Sequence, residues 1–143
     1  PAEGSEKPVE FAVINSPRGL ALDPDGTLWV LSTSSKDGQL QKVSADGKAE
    51  SVIKDHPFNL PHNLVRLADG SMFVTDNYEH GVWKVTAGAA PEKFAAGAPL
   101  DRPVGLCVAG DRLLVADPHI RTIFSIGMDK AVSVLISSPV PAK

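Results

Sequence analysis

The chain has 143 residues, with 14 Lys and Arg against 17 Asp and Glu, a formal net charge of −3 and 43% hydrophobic residues. That apolar fraction is ordinary for a globular domain, and no apolar run is long enough to span a bilayer, so no membrane insertion is expected. The basic residues are scattered rather than striped, which excludes the electrostatic footprint of a nucleic-acid surface.

Residues 1–8, PAEGSEKP, form a polar, Pro/Gly-rich tether of the kind left after processing or truncation. This leaves the compartment open and favours an extracytoplasmic or periplasmic site. Residues 9–14 (VEFAVI) read as a strand of the outer type described below. From residue 17 onward the chain repeats. Aligning Pro17, Pro61 and Pro103 gives spacings of 44 and 42 residues. The middle copy, PHNLVRLADGSMFVTDNYEHGVWKV, carries three apolar strand runs separated by turns, with Asp69-Gly70 where a tight hairpin needs positive φ. A polar turn and a fourth apolar run follow each copy: AESVIK, EKFAA and AVSVLIS.

Units of roughly 40–50 residues built from four short strands are the signature of propeller blades. No apolar period of 3.6 residues persists for more than a turn, so the class is all-β. The reading is three four-stranded blades, half of a six-bladed propeller, spanning residues 9–137. The blades cover 17–54, 61–96 and 103–137, with an extra outer strand at 9–14 and a tail at 138–143.

Three blades do not close a ring. Each terminal blade leaves bare an apolar face on the order of 500 Å², worth roughly 12 kcal/mol gross at about 25 cal/mol per Å². Closure by a second copy about a twofold axis is expected, the alternative being a part of a longer chain. Residues 9–14 and 131–137 compete for one outer slot: one is exchanged between subunits, added as a fifth strand or left loose.

Loops entering the first strands share one face with the loops between second and third strands. The Asp-Gly turns occupy the other. On the first face Arg18, His62, Asn63 and Val104 lie near the axis, and Asn77, His80 and His119 lie farther out. A ligand is expected there, bound by Arg18, His62, Asn63, Asn77, His80 and His119. Asp76 and Asp117 follow Val-x in equivalent positions and suit structural caps that accept backbone N–H groups in the next turn. Asn63 stands where the other copies have Gly, an exchange compatible with a left-handed backbone. Trp29 and Trp83 are expected to pack between blades. Cys107, the single cysteine, is expected as a buried small hydrophobe.

This pattern resembles the NHL-repeat family of β-propellers. The resemblance rests on Pro17-Arg18-Gly19-Leu20, Asp25-Gly26 and Trp29-Val30, on Pro61-His62-Asn63-Leu64, Asp69-Gly70 and Val74-Thr75-Asp76, and on Pro103-Val104-Gly105-Leu106 and Val115-Ala116-Asp117. It implies the fold and leaves enzymes, protein-binding modules and RNA binders open as functions. The calcium-dependent gluconolactonase group is similar in architecture, but its ligand positions correspond to Arg18, His62 and Val104, none of which offers an oxygen to a hard cation. The peptidyl-hydroxyglycine amidating lyases place zinc histidines in Pro-His-x-Leu segments. Pro61-His62-Asn63-Leu64 matches once, while Arg18 and Val104 hold the other two positions.

The expectation is therefore a non-catalytic scaffold that homodimerises into a ring, needs no cofactor, and binds a small molecule, peptide or protein on the Arg18/His62 face. The alternative is a metal-dependent lyase or hydrolase holding a transition metal at His62.

Overall fold

A computed structural model describes residues 9–34 and 36–139. The expected tether at 1–8 and the end of the tail at 140–143 lie outside the described residues. Pro17–Leu22 (β1), Leu28–Ser32 (β2), Leu40–Val43 (β3) and Ala49–Ile53 (β4) form one antiparallel sheet. Pro61–Arg66 (β5), Met72–Asp76 (β6), Gly81–Val85 (β7) and Glu92–Ala96 (β8) form the second. Gly105–Ala109 (β9), Arg112–Asp117 (β10), Thr122–Gly127 (β11) and Val132–Ser137 (β12) form the third. Among the described residues there is no helix. The architecture is all-β, three blades each built in chain order.

The pleat gives every blade two apolar faces, and the repeat makes them equivalent. Cross-strand register places Leu20, Leu28, Val30 and Val43 on the face of blade one that looks toward a preceding blade. Leu64, Met72, Val74 and Val85 take those positions in blade two. In blade three they are Leu106, Leu113, Val115 and Ile126. The second set is buried against Leu31 and Leu40 of blade one, and the third against Phe73, Val82 and Phe94 of blade two. The protein therefore has two cores, one at each blade junction.

The run at 9–14 is not a strand, a departure from the sequence reading. An outer strand needs a third strand to pair with, and β4, β8 and β12 already fill that slot in all three blades. With no ladder available, Phe11, Ala12 and Ile14 instead line, with Leu20, Leu28, Val30 and Val43 of blade one, a cavity of about 300 Å³. The strap runs so close to the β3–β4 turn that a Cβ on Gly47 would stand 2.4 Å from the carbonyl oxygen of Phe11. It is tied where it enters β1, by Ser32 Oγ donating to the Asn15 carbonyl at 2.5 Å and Thr33 N–H donating to that of Ser16 at 3.2 Å.

Cys107 is exposed, again contrary to expectation. It pairs with Leu114 on the far face of blade three, a face against which no described strand packs. Its counterpart Val65 packs against the core between blades two and three.

Candidate functional site

Strands β1 and β5 are the first strands of neighbouring blades and lie side by side. A Cβ on Gly19 would sit 2.8 Å from the Leu64 backbone nitrogen, so only glycine lets these two strands approach. Register breaks between Pro17 and Leu20 in the first blade and between Pro61 and Asn63 in the second. Such bulges re-aim side chains, and here they carry Arg18 and His62. Arg18 is exposed and His62 half-buried. The imidazole of His62 is held below its usual pKa, first by burial and then by the Arg18 charge, against a weaker pull from Asp76 in the other direction. At neutral pH it is therefore an uncharged ring with one N–H and one lone pair beside a permanent cation.

Asn63, expected to face a ligand, is turned between blades. Its Nδ2 donates to the Leu106 carbonyl at 3.3 Å and its Oδ1 accepts the Leu64 N–H at 2.8 Å. Its backbone is not left-handed, so the residue is a cross-blade tie and not a tolerated stand-in for glycine.

Asp76 and Asp117 are backbone caps, as expected, but mainly of the loop that precedes the blade and not of the next turn. Asp76 accepts the backbone N–H groups of Asn59 at 2.7 Å, Leu60 at 2.9 Å and Glu79 at 3.3 Å. Asp117 accepts those of Asp101 at 2.7 Å and Arg102 at 2.8 Å. Each carboxylate thus closes the loop entering its own blade, which gathers the first-strand loops and the second turns at one end of the blade. Asn77 joins that arrangement through its backbone N–H, donated to Leu60 O at 3.0 Å.

His80 and His119 come together on one residue. His80 Nδ1 bonds the Asp101 carbonyl oxygen and lies 3.7 Å from its carboxylate, while His119 Nδ1 bonds Asp101 Oδ2. The hydrogen bond from His119, with the charges of His119, Arg102 and His80, holds the Asp101 carboxyl below the usual range. His80 sits at φ 52°, in the turn position that Gly38 and Arg121 hold at φ 80° and 54°. Its placement is thus set by a left-handed turn, and the two histidines brace the loops of blades two and three. Among the described residues no group of three or more His, Cys, Asp or Glu side chains is placed to hold a metal ion.

One cluster escaped the sequence reading. Arg66 Nε pairs with Asp23 Oδ1 at 3.1 Å, its guanidinium lies 4.8 Å from the Trp29 ring centroid, and Trp29 Nε1 donates to Asp23 Oδ2 at 3.0 Å. The group lies at the Asp-Gly turn end of the junction between blades one and two, beside a cleft of about 430 Å³. Its signal was available in the repeat itself: Arg66 stands where the other blades have Leu22 and Val108.

No protein-family model and no curated protein matches the sequence. Solved structures do match. A catalytically inactive variant of virginiamycin B lyase from Staphylococcus aureus with quinupristin superposes with a TM-score of 0.69 at 20% identity, over 87% of this chain and 42% of that one. The nidogen/laminin complex gives 0.72 at 18% identity, over 85% and 48%. A putative gluconolactonase gives 0.66 at 19%, over 86% and 48%. This chain thus spans less than half the length of each. What it shares with these solved structures is the blade architecture.

Proposed function

We propose that this protein is a propeller-type binding module that receives an anionic group at the axial end of β1 and β5. The arc of three blades is completed into a six-bladed ring by a second copy. The observation that carries the reading is the pairing of Arg18 with an uncharged His62 on adjacent bulged strands. An exposed guanidinium offers a planar fork to a carboxylate or phosphate, and a neutral imidazole beside it donates one further hydrogen bond without competing for the anion. In a twofold ring two such pairs face one channel, which suits a small dianion or an acidic peptide end. Asp101, His80 and His119 form the wall of the same face and are engaged with one another.

The rival, a metal-dependent lyase or hydrolase centred on His62, has no three-donor group behind it among the described residues. Titrating the protein with inorganic phosphate while following the His62 ring protons by NMR tests the proposal. Saturable shifts that vanish in Arg18→Met support it. Shifts that survive the substitution, or their absence, reject it. A parallel zinc titration that broadens the His62 signals at one equivalent per dimer would favour the rival.

A further inference from the structure

We infer that the cleft between blades one and two is a binding site for an aryl carboxylate, its ring seated beside Trp29 and its acid on the terminal nitrogens of Arg66. The site lies at the Asp-Gly turn end of an internal junction, so both of its walls belong to blades of this chain. It is separate from the axial end that carries Arg18 and His62.

The other junction shows what such a cleft is shaped to hold. There Phe94 meets Phe73 edge to face, and Lys130 Nζ lies 5.6 Å from the centroid of the Phe94 ring. Register gives the two aromatic residues counterparts between blades one and two: Trp29 for Phe73 and Val52 for Phe94. Lys130 corresponds to Ala89 through the turn, since each donates its N–H to the carbonyl three positions back, Gly127 and Thr86 respectively. The aromatic wall is thus kept, while valine and alanine remove the ring and its cover. What remains is the cleft of about 430 Å³, lined by Trp29, Val52 and Ala89 alike. That is a usual volume for a small-molecule site. A phenyl ring entering it takes the place of the missing Phe94 side chain and meets the indole as Phe94 meets Phe73.

The charge of the occupant follows from Arg66. Its Nε lies 3.1 Å from Asp23 Oδ1, an ion pair without the alignment of a hydrogen bond. Among the described residues its guanidinium donates one hydrogen bond, from Nη1 to the Leu67 carbonyl at 3.5 Å. Of five N–H donors, those on the Nη edge are therefore left to offer, while Asp23 offsets charge on the Nε side. The Nη edge lies against the cleft: a Cβ on Gly70, a lining residue, would stand 3.3 Å from Nη1 and 3.7 Å from Nη2. Lys84 lines the cleft too, and the lining carboxylate Asp69 is engaged at Oδ1 by the Ser71 N–H at 2.9 Å and hydroxyl at 2.6 Å. A planar fork beside an apolar slot selects a carboxylate carried on a ring.

Proton–nitrogen NMR of the Trp29 indole N–H, titrated with hydrocinnamate, tests the site. Saturable shifts in the low-millimolar range are expected, with the neutral hydrocinnamide at least about tenfold weaker. Val52→Phe should abolish the shifts by restoring the ring. Arg66→Leu with Asp23→Leu should bring acid and amide to equal affinity. Acetyl-glycyl-phenylalanine carries the same ring and acid at a peptide end. Binding at least about tenfold tighter than hydrocinnamate assigns the site to a peptide terminus, and weaker or equal binding assigns it to a free acid. Absence of a saturable shift, shifts that persist in Val52→Phe, or an amide that matches the acid in the unaltered chain would each overturn the inference. Should Val52→Phe not fold, Val52→Leu fills part of the same space and should weaken the acid measurably, and unchanged affinity rejects the site.

Discussion

The two blade junctions are built from equivalent positions and filled with different chemistry. Between blades two and three, Phe73 meets Phe94 edge to face at 4.8 Å with the rings at 69°, and the register position of Arg66 is held by Val108, paired with Leu113. Between blades one and two, the same three positions hold Trp29, Val52 and Arg66. Val52 is too small to reach its neighbour, so the cleft stays open, and the guanidinium covers the indole while Asp23 neutralises it. A repeat thus dictates where a residue sits but not how the junction is held. Both junctions rest on dispersion and exclusion of water, and the first adds to its apolar core a charge that must stay paired.

Those two modes fail differently, and the largest expected effect is on the apolar side. Phe94→Ala empties a site that is 6% exposed and strips Phe73 of its ring partner, which should cost about 3–5 kcal/mol in urea unfolding. Val52→Ala across the other junction should cost about 1 kcal/mol, since Val52 already borders open space. Equal losses would show that the junctions are not distinct.

The carboxylates that anchor each junction's incoming loop come next. Asp76→Ala removes an acceptor from three backbone N–H groups and Asp117→Ala from two, so losses of about 3 and about 2 kcal/mol are expected. The reverse order would break the correspondence between the blades.

The polar junction gives a smaller and more diagnostic effect. Arg66→Ala should lose about 1–2 kcal/mol, because Asp23 keeps its bond from Trp29 but loses its cation. Restoring the repeat with Arg66→Leu and Asp23→Leu together should recover stability to within about 1 kcal/mol of the parent. Failure of the double substitution to recover would mean that the cluster orders the cleft beyond neutralising a charge.

The smallest effect is the pH response at the axial end. His62 has its pKa lowered from 6.5 in the folded chain, so the unfolded state binds the proton more readily. The stability it contributes is present above about pH 6.5 and is lost as pH falls through the lower folded value. His62→Gln should flatten stability between roughly pH 7 and 5, and Arg18→Met should partly flatten it by removing one of the two causes. A steeper slope in either variant would contradict the assignment of burial and Arg18 as those causes.

Local chemistry made much of this protein legible in its sequence. The spacing of Pro17, Pro61 and Pro103 and the alternation of strands and turns determined three four-stranded blades. Positive φ at Gly26 and Gly70 follows from the tight turns they close. The recurrence of Asp76 and Asp117 marked backbone caps, because a short carboxylate at a strand end has few other partners. What tertiary structure decided was the identity of neighbours. The run at 9–14 has the composition of a strand, yet whether it forms one depends on a free sheet edge, and all three outer slots were taken. Cys107 and Val65 share one position in the repeat, and Val65 packs on the core because a described blade lies against its face, while none lies against the face of Cys107. Asn63 became a cross-blade tie and Arg66 the centre of an unexpected cluster for the same reason. Burial and pairing are properties of the space between blades, and that space is set by residues some forty positions away.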